Sequence, residues 1–153
     1  GLTVEEFKKT IASHEISGHV GLEQSIGMIA DALGWKLDEI KVEPPEPVMA
    51  KKAVQSDAVK VPKGGCAGTM QMAYGMKDGK ALVTLDFKAY VGAEEEFDSV
   101  TVDGVPSINE KISPCTHGDY GTIGMTINCI PKVINAASGL KTMKDLPVPS
   151  ASP

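Results

Sequence analysis

Apolar residues recur along the chain with two different periods, and the changes of period divide it into helical and extended stretches. Leu22, Ile26, Ile29, Ala30 and Leu33 share one helical face, which predicts a helix over 22–33. Gly34 follows the last periodic residue, where a left-handed helix terminus calls for a residue without Cβ. Ahead of it, Thr3 and Glu6 have the spacing of a capping box, so a short helix is expected to run to about Ala12 with Phe7 and Ile11 on one side. Glu39-Ile-Lys-Val-Glu43 alternates charged and apolar residues and reads as a half-buried strand, ended or held at a sheet edge by Pro44, Pro45 and Pro47.

Val48 to Ala58 has no legible period, and Lys63-Gly-Gly65 reads as a turn. From Gly68 to Met76 the residues Met70, Met72, Tyr74 and Met76 share one strand face, opposite Thr69, Gln71 and Ala73. Lys77-Asp-Gly-Lys80 is a hairpin signal, and the return strand puts Ala81, Val83, Leu85, Phe87 and Ala89 on one face. A further strand over Phe97–Val102 is expected to complete an antiparallel meander, with Glu94-Glu-Glu96 as a solvated loop before it. The methionine stripe suits a sheet face buried by helices or by a second subunit; a plastic binding surface is the alternative. Ile108 to Pro114 carries no clear pattern. Ile123, Ile127, Ile130 and Ile134 are spaced for a second long helix, with Asp119 as its N-cap, a kink or boundary at Pro131 and an end at Gly139. The residues after Gly139 are expected to run extended. The pattern as a whole predicts an α+β fold, a mixed and largely antiparallel sheet with helices packed on one face.

A length of 153 residues suits a single domain with a real core. The net charge of -5 argues against a nucleic-acid surface. All 15 basic residues are lysines, so no guanidinium fork is present to clamp a carboxylate or phosphate. Cys66, Cys115 and Cys129 are scattered and odd in number, which fits reduced thiols in the cytoplasm better than disulfides or a zinc site. No apolar run is long enough for a membrane span, and no signal peptide is recognisable. The opening Gly-Leu-Thr, without Met, is what a piece of a longer polypeptide would show.

Two helix starts carry similar polar groups. Gly18-His-Val-Gly21 precedes Glu23, and His117-Gly-Asp-Tyr-Gly121 precedes Thr122. A helix start presents unpaired N–H groups and partial positive charge, glycines let a ligand approach the main chain, and imidazole can donate, accept or carry charge. Brought together, His19, Glu23, Asp119, Tyr120 and Thr122 would suit a small substrate bearing an amine and an acid or carbonyl. Glu23 or Asp119 would then pair with an ammonium, and His19 or Tyr120 would bond a carboxylate or second amine. The competing reading makes Gly18 and Gly21 shapers of a tight turn, His19 a surface residue, Asp119 a helix cap and Tyr120 a packing residue. Metal binding is not expected: His14 and His19 are not at helical ligand spacing and the cysteines are dispersed. No Gly-x-Gly-x-x-Gly, Walker loop or Gly-x-Ser-x-Gly elbow occurs.

Gly18-His-Val-Gly-Leu-Glu-Gln-Ser-Ile26, Ile29-Ala-Asp-Ala-Leu-Gly-Trp35, Ile127-Asn-Cys-Ile-Pro131 and Ala137-Ser-Gly-Leu-Lys-Thr-Met-Lys-Asp-Leu-Pro-Val-Pro149 together resemble the 2,4-diaminopentanoate dehydrogenase C-terminal domains. These belong among the dihydrodipicolinate-reductase-like NAD(P)-dependent oxidoreductases. The resemblance implies a two-domain enzyme for oxidative deamination of 2,4-diaminopentanoate. An N-terminal Rossmann domain, absent from these residues, would hold NAD or NADP. The present chain would be the substrate-binding and oligomerisation domain of a homodimer or homotetramer, inactive alone in hydride transfer. Carried over by position, His19 and its loop would face the amine or amino-acid substrate. The Asp119–Thr122 helix start would add polar contacts, and Asn128 would lie toward the cofactor. The paired histidines and Ser-Gly-Thr motif of dihydrodipicolinate reductases themselves are missing, so their substrate is not implied. The alternative is a non-catalytic small-molecule-binding or assembly domain.

Overall fold

A computed structural model describes residues 1–151. The chain forms two compact units, Gly1–Ala93 and a second beginning at Glu94. The first opens with α1 (Val4–Ala12), capped as the sequence predicts: Glu6 N–H donates to the Thr3 hydroxyl while the Glu6 carboxylate accepts from Thr3 N–H. Phe7 is the residue α1 buries. The second helix, α2 (Leu22–Ala32), buries Leu22, Ile26 and Ala30. It ends in a Schellman turn, with Gly34 at a φ of 69°, Trp35 N–H donating to Ala30 C=O and Gly34 N–H to Asp31 C=O.

The sheet is organised on one long strand, β5 (Cys66–Lys77). Along one side lie β1 (Glu39–Val42) and β2 (Glu46–Met49), both antiparallel to it, so the two short strands share one edge with Pro44 and Pro45 between them. Along the other side lies β6 (Lys80–Tyr90), joined to β5 by the expected Asp78-Gly79 turn, in which both residues have positive φ. The segment without legible period contributes the end of β2 and β3 (Val54–Gln55), which pairs with β4 (Lys60–Val61), just beyond it, in a small hairpin. A second cluster of Ala50, Val61 and Ala67 packs beside that hairpin.

The main core forms where α2 lies on the sheet: Leu22, Ile26 and Ala73 are buried, with Leu37, Ile40, Val83, Leu85 and Phe87 against them. The helix thus covers the face that carries Gln71, Ala73 and Gly75. Small side chains there permit the approach, since a Cβ on Gly75 would fall 2.8 Å from Ile26 Cγ2. This corrects one expectation. Met70, Met72, Tyr74 and Met76 point to the opposite face and stay half-buried, so these helices do not bury the methionine stripe.

The second unit departs further from expectation. β7 (Asp98–Val102) does not extend the meander; it pairs with β8 (Ile108–Ile112), the stretch without clear pattern, as a separate antiparallel hairpin. Glu94 to Glu96 are exposed, as a solvated loop requires. α3 (Gly118–Ile134) has His117, not Asp119, at its N-cap, with no side-chain cap bond. It continues through Pro131, where a boundary or kink was expected. It stops at Asn135 rather than Gly139, with Asn135 Nδ2 donating back to Pro131 C=O. Proline forfeits one helical N–H, and the Pro131 carbonyl accepts from both the main-chain N–H and the side-chain amide of Asn135 at the helix end. The tail is not wholly extended: Met143–Asp145 form a short 3₁₀ turn with a Thr142–Asp145 capping box. No described residue of this unit is buried, and Ile127, Val133 and Ile134 are 57%, 58% and 76% exposed. No helix among the described residues is long and apolar enough to cross a membrane.

Two measurements test this account. Ile26→Ala removes the fully buried contact under α2 and is expected to cost about 2–5 kcal/mol in urea unfolding. Asp38 accepts from Lys77 Nζ and from Asp78 N–H, both at 2.8 Å, and these bonds, the lysine's first, hold its carboxyl below the usual range. A depressed carboxyl contributes stability that is complete above the unfolded-chain value and is lost as pH falls through the folded one. Thermal melts of Asp38→Asn are therefore expected to lose less stability than wild type on acidification below about pH 4.

Candidate functional site

The first predicted corner is built by the link between α1 and α2. Gly18, His19, Val20 and Gly21 run irregularly into the helix, and Gly21 serves as N-cap with a φ of 118° and no side-chain cap bond. Nothing lies within 4 Å of where a Gly21 Cβ would be, so glycine is required there by backbone conformation alone. Gly18 is the reverse case. Its φ is ordinary, but a Cβ would fall 2.6 Å from the Gln71 Oε1 atom.

Gln71 is buried on the inner face of β5 and bridges two segments distant in sequence. Its Oε1 accepts from His19 N–H at 2.7 Å, and its Nε2 donates to Glu43 C=O at 2.9 Å. The His19 imidazole stacks on Phe87 with ring centroids 4.2 Å apart and planes inclined by 19°. His19 is exposed, yet both its main chain and its ring are held. Glu23 lies exposed in the first turn of α2, one turn from the same corner. Neither Gln71 nor Phe87 is singled out by motif. The available signal was Gln71 itself, a long polar residue alternating with alanine and glycine on the covered face.

The second corner is the start of α3. Asp119 lies in the first turn, where a carboxylate complements the helix dipole. The Tyr120 ring is tilted at 41° to His117 with centroids 4.9 Å apart, and its side chain is largely exposed. The Thr122 hydroxyl donates to Gly118 C=O at 2.9 Å, so its oxygen is left as an acceptor only. Asn128 is half-buried midway along α3. His19 and Glu23 thus belong to one compact unit, and Asp119, Tyr120, Thr122 and Asn128 to the other.

Two concavities accompany these corners. An apolar one of about 310 Å³ is lined by Phe7, Ile16, Val61, Ala67 and Ala89 among others, and one of about 360 Å³ by Lys132, Asn135, Lys141 and Asp145 among others. Neither is lined by a predicted site residue. Among the described residues no cluster of three or more His, Cys, Asp or Glu is arranged for a metal. Every strand pair described is antiparallel, so the described residues contain no parallel βαβ unit of the dinucleotide-binding kind.

Structural comparison places the fold first. The amine dehydrogenase from Mycobacterium smegmatis superimposes with a TM-score of 0.75 at 20% identity, over 98% of this chain and 45% of that one. This chain thus shares the fold of the matched part of that structure. A family model for the 2,4-diaminopentanoate dehydrogenase C-terminal domain matches residues 1–152, and the chain belongs to that family. The 2,4-diaminopentanoate dehydrogenase of Acetoanaerobium sticklandii is 41% identical over 155 residues, covering 99% of this chain. The chain spans 44% of the length of that relative.

Gly21→Ala tests the local geometry of the first corner. With no steric clash available, the strained φ alone is expected to lower stability by about 1–3 kcal/mol, read by thermal unfolding.

Proposed function

We propose that this chain is the substrate-binding and oligomerisation domain of an NAD(P)-dependent dehydrogenase that deaminates 2,4-diaminopentanoate or a similar diamino acid. Its cofactor is held mainly by a Rossmann domain elsewhere in the enzyme. The observation that carries the reading is membership of the family together with a held, exposed histidine at the start of α2.

A diamino acid brings two ammonium groups and one carboxylate. At the start of α2, Glu23 offers negative charge for an ammonium and His19 a group for the carboxylate or second amine. The start of α3, taken by itself, offers Asp119 as negative charge, Tyr120 as a phenol, and the Thr122 oxygen, with its own proton committed, as an acceptor. With no arginine in this chain, a carboxylate is held by lysines, by helix N–H groups or by another polypeptide. Asn128 is assigned to the cofactor side of α3. The enzyme is cytoplasmic, its three thiols free.

Assembly is the second part of the reading. An α3 without one buried residue needs a covering surface, because most helical stability comes from packing of an apolar face. The methionine face of β5, flanked by the Lys41–Glu43 and Lys88–Asp86 ion pairs, suits contact with a second copy in a homodimer or homotetramer.

Steady-state kinetics of the whole enzyme test the substrate assignment. His19→Ala is expected to raise KM for 2,4-diaminopentanoate about tenfold or more, the worth of one hydrogen bond to a charged group, with KM for the nicotinamide cofactor unchanged. An unchanged KM for the diamine would remove His19 from the substrate site.

A further inference from the structure

We infer that Gln71 is the positioning residue of the His19 corner: its side-chain amide ties the loop before α2 to the connector after β1 and so fixes where the imidazole stands. The inference rests on the reading of His19 as a substrate contact.

The geometry leaves the amide one useful orientation. Oε1 must face His19 N–H and Nε2 must face Glu43 C=O, since the reverse would set donor against donor and acceptor against acceptor. Gln71 is buried, and both bonds are partly withdrawn from water. Removing the amide would strand a main-chain donor on one segment and a main-chain acceptor on another. Gly18 belongs to the same device. Its bare Cα lets the loop lie against the amide, which a Cβ at 2.6 Å would push away.

Phe87 completes the arrangement. It stands directly opposite Gln71 in the β5–β6 register, so the residue that holds the histidine main chain and the residue that holds its ring are cross-strand partners. Two neighbouring positions of one rigid hairpin therefore fix both ends of His19. A hydrogen bond to the backbone and a stack on the ring leave the imidazole little freedom, although it is exposed. Connector and loop are also coupled, since the Glu43 carbonyl and the His19 amide share one side chain.

The test uses the whole enzyme. Gln71→Met keeps the length and apolar stem while removing both hydrogen bonds. It is expected to raise KM for 2,4-diaminopentanoate about tenfold, with kcat and the cofactor KM within about twofold of wild type. In a His19→Ala background the same change is expected to add less than about twofold, because nothing remains to be positioned. In enzyme labelled with ¹⁵N-histidine, the His19 amide proton is expected to move upfield in Gln71→Met as its bond is lost. Equal KM penalties in both backgrounds would mean that the amide serves packing alone, and would overturn the inference. An unmoved His19 amide resonance would overturn it too. If Gln71→Met does not fold, Gln71→Asn, which keeps the amide but withdraws it by one methylene, is read by the same criteria. Should His19→Ala leave the diamine KM unchanged, the substrate assignment fails by itself, and the resonance still decides whether Gln71 holds the loop.

Discussion

Ile26 sits so near the sheet that position 75 cannot carry a side chain. A Cβ there would come within 2.8 Å of Ile26 Cγ2 and 2.9 Å of Leu37 Cδ1. Ala73, fully buried one step along the same strand face, continues the run of small residues beneath the helix. This seam sets the height of α2 above the sheet, and with it the place where the helix begins. Gly21, the His19 loop and Glu23 are where they are because α2 is pressed down on β5. The inner face of β5 is therefore read as a template: small where the helix axis crosses, polar at Gln71 where the incoming loop needs a partner.

The elements legible in the sequence are those whose signals are local. The Thr3–Glu6 box, the Leu22–Ala30 stripe, the Gly34 terminus and the Asp78-Gly79 turn each specify their structure within a few residues, and each forms as read. The illegible parts depend on partners far along the chain. β2 carries Pro47 and would not read as a strand, yet pairing with Thr69 and its neighbours makes it one. β7 is legible as a strand but its partner is not: β8 is defined by pairing with β7 and has no buried residue whose period would announce it. The methionine stripe is not covered by α2, because the helix packs on the strand face with least bulk, that of Ala73 and Gly75. His117 replaces Asp119 as N-cap because the helix starts earlier than the best capping residue.

At the first corner the sequence leaves two readings of the glycines open, ligand access and the shaping of a tight turn, and the structure shows a local structural use for each. Gly18 admits a glutamine from the neighbouring sheet. Gly21 serves a backbone angle. No local pattern could have joined Gln71 to His19, 52 residues away in the chain. That bond exists only once β5 lies beneath the loop.

The edge of the sheet formed by β1 and β2 has a consequence of its own. Pro44 and Pro45 interrupt it and Pro47 withholds an N–H, so that side offers no continuous row of donors and acceptors to a foreign strand. The far side of β6, eleven residues long, has no such interruption. Among the described strands, edge-to-edge addition of a foreign strand is therefore directed to β6, and the proline-broken margin is withdrawn from it.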